Sequence, residues 1–148
     1  MLTKIVVLFA VCISFVYSDY VFKKLCKDVD TKACDIHQVD IDKCETTKYC
    51  RMKKNKIYPI DVQFTPHFIA VNTKATTYFE QRNSDVFDEM ETVTLTNSSM
   101  VADVKQTVTY KFTPPKILRQ GKYPIKIKIY NAEKDTEACC VTFNIKIK

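Results

Sequence analysis

The chain contains no tryptophan, and only one of its 148 residues is glycine. The first absence excludes the Cys…Trp…Cys framework of antibody domains. The second excludes a glycine-rich loop cradling a nucleotide phosphate, because such loops need several glycines for close backbone approach. Histidine is scarce too, with His37 and His67 the two present. Neither stands in an H-E-x-x-H pattern or near a nucleophile elbow, and no paired carboxylates stand out, so no catalytic constellation is visible. No two cysteines have the two-residue spacing of a zinc site. Clustered arginine and a basic aromatic motif are missing, which argues against nucleic acid. The expectation is a protein that is not an enzyme and holds no metal or cofactor.

What is present begins with MLTKIVVLFAVCISFVYS. Lys4 precedes an apolar run from Ile5 to Val16, and a small residue, Ser18, follows; this is the pattern of a secretory signal peptide cleaved before Asp19. A run of about 12 apolar residues is too short to span a bilayer core of ~30 Å. Two regions are therefore expected, a signal peptide at 1–18 and one domain at 19–148. Removing the signal leaves six cysteines: Cys26, Cys34, Cys44, Cys50, Cys139 and Cys140. An even number in a secreted chain predicts disulfides.

Alternation recurs along the rest of the chain. Val39 and Ile41 alternate with polar neighbours in DIHQVDIDKC, as do Ile60, Val62 and Phe64 in KIYPIDVQFTP. The same period of two runs through Val104, Val108, Tyr110 and Phe112, then Tyr123, Ile125, Ile127 and Ile129, and finally Val141, Phe143, Ile145 and Ile147. Weaker strands fit AVNTKATTYFE, which holds Phe79, and EMETVTLT. Turn residues separate these runs, and no segment carries a helical stripe. About seven or eight strands with one wet face each predict an all-β, antiparallel, immunoglobulin-like β-sandwich. With one glycine, the turns must rely on Asn, Asp, Pro and Lys. Strand parity sets Cys139 inward and Cys140 outward, places Cys34 outward with Gln38 and Asp40, and puts His37 on the apolar side.

The segment IHQVDIDKCETTKYCRM resembles the start of the ML (MD-2-related) lipid-recognition domain. That family includes the secreted Niemann–Pick type C cholesterol carrier, the group 2 mite allergens and the endotoxin-binding co-receptor of the Toll-like receptors. The landmarks are an early strand ending in a cysteine, the Cys-x5-Cys loop from Cys44 to Cys50, the KIYPIDVQFTP strand, the GKYPIKIKI strand and the closing CVTFNIKIK. Their order and spacing agree over essentially all of 19–148. Two departures stand out: METVTLTNSSMVADVK lacks the cysteine that most members carry there, while this chain adds an early cysteine and the doubled Cys139–Cys140. The co-receptor branch also has two early cysteines, so the subfamily stays open.

The resemblance implies a secreted lipid carrier, acting as a monomer outside the cell or in the endolysosomal lumen, with a hydrophobic cavity between its sheets. Candidate cavity residues are the uncharged inner stripes: Ile60, Val62, Phe64, Phe79, Val108, Tyr110, Phe112, Tyr123, Ile125, Ile127, Val141, Phe143 and Ile145. A filled core uses the same residue types, so the stripes alone fit either; the cavity is what the resemblance implies. The ligand would be a sterol, a fatty acid or acyl chains. The alternative is an innate-immune co-receptor recognising microbial lipid, or a protein-binding module with a filled core. The resemblance also implies a Cys44–Cys50 disulfide and a closing role for Cys140. Parity then favours Cys34–Cys140 with Cys26–Cys139, and the swapped pairing is the rival.

The formal net charge is +6. Lys105, Lys111, Lys126, Lys128, Lys146 and Lys148 fall at outward strand positions, with Lys53, Lys54 and Lys56 in a separate cluster. These serve solubility and edge protection, or attract an anionic membrane surface at ~1 kcal/mol per well-placed cation; a receptor is the other candidate partner. Asn97-Ser98-Ser99 is the one N-glycosylation sequon of the mature chain.

Overall fold

β-Branched residues at alternate positions favour extended backbone, and the computed structural model, which describes residues 23–44, 48–81 and 84–148, contains nine strands and no helix among them. In chain order these are β1 (Lys23–Leu25), β2 (Cys34–Ile41), β3 (Cys50–Met52), β4 (Tyr58–Pro66), β5 (Thr73–Glu80), β6 (Phe87–Leu95), β7 (Gln106–Phe112), β8 (Gly121–Asn131) and β9 (Lys134–Ile147). Seven are the long strands announced by alternation; β1 and β3, three residues each, are too short to show a period. The expected 1–18 signal peptide lies outside the described residues.

The strands form two sheets. The larger runs β1–β9–β8–β5–β6, with β3 added beside β9, and the smaller runs β2–β4–β7. Every pair is antiparallel except β3 with β9. The inner faces meet as the stripes require. Ile60, Val62, Phe64, Val108, Tyr110 and Phe112 of the smaller sheet oppose Ile125, Ile127, Val141, Phe143 and Ile145 of the larger, and all are buried. Val104 is the exception to its stripe, because it precedes β7 and stays 48% exposed.

The turns show how one glycine suffices. Lys43, Asn55, Asp85, Asn97 and Asp103 take φ values of 54–60°, the left-handed conformation that short polar side chains tolerate best. Gly121 itself opens β8 at φ 156°.

Two expectations about β2 are corrected by a bulge. Its pairing with β4 slips by one residue between Ile36 and Gln38, so His37 is the extra residue of the strand. His37 is therefore exposed, bonded to Thr65 Oγ1 at 2.8 Å, rather than on the apolar face. The slip also reverses parity upstream, and Cys34 turns inward, 5% exposed. Cys139 faces inward and Cys140 outward, as expected, so Cys34 bonds Cys139. Continuing the β1–β9 register past Leu25 and Val141 sets Cys26 opposite Cys140, and these two are bonded. The favoured Cys34–Cys140 and Cys26–Cys139 pairing is thus replaced by its rival. Cys44 and Cys50 are both buried, and residues 45–47 between them lie outside the described residues.

Candidate functional site

The inward stripe of β5 reads Thr73, Ala75, Thr77 and Phe79, paired across to Asn131, Ile129, Ile127 and Ile125 of β8. Its last member differs from those before it. Phe79 is half-buried and meets Tyr123 edge to face, ring centroids 6.4 Å apart. Opposite them comes the β7–β8 connection, with Ile117 80% exposed and Leu118 2% exposed. Tyr123 closes the corner by donating its hydroxyl to the Arg119 carbonyl at 3.0 Å. Between these groups opens a hollow of about 410 Å³, rimmed by Glu80, Gln81 and Ser84.

This is the mouth of the sandwich. Of the thirteen candidate cavity residues, Phe79 and Tyr123 line it, and the other eleven continue inward from it as packed core. The structure therefore brings the candidates together on two facing sheets, with side chains filling the space behind the mouth.

Behind Phe79 the interior is not wholly apolar. Thr77 is fully buried. Tyr110, reaching across from β7, donates its hydroxyl to Glu91 Oε2 at 3.1 Å. Burial pushes the Tyr110 phenol up to about 12, against the pull of the Thr77 hydroxyl beside it and with help from the Glu91 charge. Tyr110 is thus a neutral donor at any physiological pH. Glu91 pairs with Thr77 across β5–β6, which puts its carboxylate on the inner face along the open edge between β6 and β7.

A larger hollow, about 520 Å³, lies on the outer face of the larger sheet, between β1 and the β5–β6 end. Its floor includes Lys126, which corrects the expectation of a solvated outward lysine. Lys126 is 8% exposed, held by Asp28 at 2.7 Å and stacked over the rings of Tyr78 and Phe87. Burial pulls the Asp28 carboxyl up, but its hydrogen bonds from Lys126 and the backbone and the charges of Lys126 and Lys128 hold it below the ordinary value. Of the inner-stripe candidates Phe143 alone touches this hollow, whereas Phe79 and Tyr123 open to the mouth.

Near the mouth, the outward positions of three neighbouring strands carry cations in one row: Arg51 opposite Lys146, and Lys146 opposite Lys122. Lys122 and Lys146 both lie over the Tyr49 ring. Like charges directly opposite one another oppose strand pairing, so the row is a concentrated positive surface.

Thr77, Glu91, Ile117 and Leu118 were not among the sequence-derived site residues. Thr77 and Glu91 had a signal, since Thr77 shares parity with Phe79 and Glu91 with Val93 and Leu95. Ile117 and Leu118 sit in a loop whose position no periodicity sets.

A β-sandwich with opposed apolar faces, a mouth at one end and the Cys26–Cys140 and Cys34–Cys139 bonds at the other is a binding scaffold. The chain belongs to the ML domain family, whose profile matches residues 21–147. It is 30% identical over 128 residues to an MD-2-related lipid-recognition protein of Manduca sexta, covering 83% of this chain and 82% of that one. Among solved structures it is similar to a Niemann–Pick type C2 protein from the Japanese carpenter ant, with a TM-score of 0.67 at 17% identity over 86% of this chain and 99% of that one. It is also similar to chicken MD-1 complexed with lipid IVa, with a TM-score of 0.50 at 14% identity over 84% and 87% of the two chains. At these identities the two structures speak for the fold.

Proposed function

We propose that this protein is a secreted carrier that takes one lipid of sterol or fatty-acyl type between its sheets, entering past Phe79 and Tyr123. The reading rests chiefly on two facing stripes without charge that converge on an open mouth, in a chain of a lipid-recognition family. The mouth alone, at about 410 Å³, falls in the range of small-molecule sites. A whole sterol needs more room, supplied as the sheets part and ligand methylenes replace core side chains as apolar neighbours. Burying ~15 methylenes at ~0.8 kcal/mol each yields ~12 kcal/mol before association costs of ~4–15 kcal/mol. Shape would govern most of the choice of ligand. The chain then binds rather than catalyses.

The row Arg51–Lys146–Lys122 supports approach of the mouth end to an anionic membrane surface, where lipid is collected or delivered. The alternative, recognition of a microbial lipid beside a receptor, draws support from the lipid IVa complex of chicken MD-1. Asn97, exposed in the turn after β6, is the expected glycan site. A Cys44–Cys50 bond completes the disulfide set.

The deciding experiment is organic extraction of the protein purified from a secreting host, followed by mass spectrometry. About one lipid per chain is expected, displaced by a fluorescent sterol or fatty acid. A protein that emerges without lipid and binds neither probe would overturn the reading.

A further inference from the structure

Two hollows open at the mouth end of the larger sheet, and Glu80 borders both. Glu80 is the last residue of β5. Phe79 points inward to the mouth, about 410 Å³, and Glu80, its neighbour, points to the outer face. There the hollow of about 520 Å³ runs across the sheet to β1. The end of one strand is what separates the two volumes.

The outer hollow is charged in a fixed order. Beside the mouth stand two carboxylates, Glu80 and Asp85, linked by the Asp85 backbone N–H, which donates to Glu80 Oε1 at 3.0 Å. On the far side stand two cations, Lys24 of β1 and Lys27 just after it. None of these four makes an ion pair among the described residues. Asp28, next to Lys27, is engaged by Lys126 at 2.7 Å, so that pair is neutral. On the floor between the walls lie Thr142 and Asn144, a hydroxyl and an amide. Since β5, β8, β9 and β1 are consecutive neighbours, the walls stand about 14 Å apart between backbones. Long side chains narrow that span from both sides.

From the mouth outward the surface therefore reads apolar, anionic, neutral donor, cationic. A ligand that complements this order has an apolar chain, then an ammonium, then an anionic group. We propose that the outer hollow holds the head of a long-chain amine phosphate, a lipid whose ammonium lies between its chain and its phosphate, with the chain in the mouth. This rests on the lipid-carrier reading above, a fatty chain being the part the mouth takes. The ammonium meets Glu80 and Asp85. The phosphate accepts from Lys24, Lys27, Thr142 and Asn144, donors enough for its several oxygens. A choline phospholipid has the reverse order and sets its phosphate against the carboxylates, where like charges repel. A fatty acid brings no cation to them. Both charges of the head stay on the outer face, so none is buried between the sheets.

Four single-chain lipids separate the charges and their order. Sphingosine-1-phosphate carries both in the proposed order, lysophosphatidylcholine both in reverse, sphingosine the ammonium alone and lysophosphatidic acid the phosphate alone. Each is titrated by calorimetry at pH 7.4, below its micelle concentration, against wild type, Asp85→Asn and the double variant Lys24→Gln/Lys27→Gln. Wild type is expected to bind sphingosine-1-phosphate at least about fivefold more tightly than the other three, the effect of roughly one exposed charge contact. The lysine variant should weaken sphingosine-1-phosphate about tenfold and sphingosine less than about twofold. Asp85→Asn should weaken both amines and spare lysophosphatidic acid. A fluorescent sterol, which has no charged head, should keep its affinity within about twofold in both variants. Phosphoethanolamine, the head without a chain, should bind at least about 100-fold more weakly than the lipid, because it buries no methylenes. The substituted side chains are exposed, and Asn tolerates the left-handed backbone of Asp85 at φ 54°, so both variants should fold. Equal affinities for the four lipids, or variants that change none of them or weaken the sterol alike, overturn the head site and leave the carrier reading standing. Phosphoethanolamine as tight as the lipid also overturns it, in favour of a free zwitterion. A wild type that binds the sterol and no charged lipid sinks the head site alone; one that binds none of these ligands sinks both readings.

Discussion

At one end of the sandwich, Cys139 ties β9 to β2 and Cys140 ties it to the residue after β1. At the other end, Phe79 and Tyr123 rest edge to face, half-exposed, against a loop whose Ile117 is 80% exposed. The first end joins the two sheets covalently, through Cys34 of the smaller and Cys139 of the larger. The second is closed by packing between β5, β8 and the β7–β8 connection. A proposed Cys44–Cys50 bond would tie the end of β2 to β3 on the far side of the second end. A sandwich that must part to admit a ligand will therefore open along β5 and the β7–β8 connection, with the bonded end as the hinge. The same contrast explains why the apolar candidates differ in exposure along one stripe: packing loosens toward the mouth.

The largest effect expected is loss of the bonded end. Each bridge closes a loop of over a hundred residues, with separations of 114 and 105, and one such closure is worth about 4.7 kcal/mol in the chain-entropy account. The bridges are nested, however. With one intact, the other closes only the short path from Cys26 to Cys34 and across the adjacent pair, worth about 2.7 kcal/mol. Replacing either pair by serine should therefore cost about 2.7 kcal/mol, and replacing both about 7 kcal/mol, well above the sum of the single losses. A Cys44–Cys50 bond, closing a much shorter loop, should contribute about 2.4 kcal/mol. Urea denaturation of the four variants measures these values. Additive losses for the two nested pairs would show that the bridges act by local strain rather than as one closure.

The second contrast is between the filled interior and the mouth. Phe64→Ala, at a fully buried position, should cost about 3–5 kcal/mol. Phe79→Ala should cost only about 1–2 kcal/mol, because its ring already lies partly in solvent. The order should invert for ligand binding, with Phe79→Ala weakening a fluorescent sterol at least tenfold while the protein stays folded. Equal sterol affinity in Phe79→Ala and wild type would place entry elsewhere, the outer hollow beside Lys126 being the next candidate.

Much of this was legible in the residues. Period-two stripes such as Ile60–Val62–Phe64 and Tyr123–Ile125–Ile127 named the inner faces, because a half-buried strand has no other way to be written. Cys139 and Cys140 could be assigned to opposite faces for the same reason. Their partners could not, because a one-residue bulge at His37 flips every side chain upstream of it and leaves no mark in the alternation. Lys126 looked like an ordinary outward lysine; the β1–β2 turn, which brings Asp28 over it, and the rings of Tyr78 and Phe87 make it buried. Thr77 and Glu91 carry parity signals, but parity does not reveal that Tyr110 reaches across from β7 to meet them. That depends on the distance between sheets.

The smallest expected effect concerns acid at the bonded end. His67 follows β4, donates its backbone N–H to Ala33 beside the Cys34 bridge, and sits between Asp103 at 2.6 Å and Asp35 at 3.1 Å. Hydrogen bonds to Asp103 first, then Asp35, raise its pKa above the ordinary 6.5. A raised value means the folded state holds the proton more tightly than the unfolded chain. The stabilisation is therefore complete below about 6.5 and fades as pH rises through the folded-state value. The ring is solvated, so the effect will be modest and screened by salt. His67→Gln should lower stability at pH 5.5 and leave it nearly unchanged at pH 8.5, in low salt. Hydrogen exchange should show the loss at residues 67–72 and 101–104 and none around Tyr123, so that acid firms the hinge without closing the mouth. Equal destabilisation at both pH values would mean that His67 acts through packing or neutral hydrogen bonds, and its charge would have no part in holding that end.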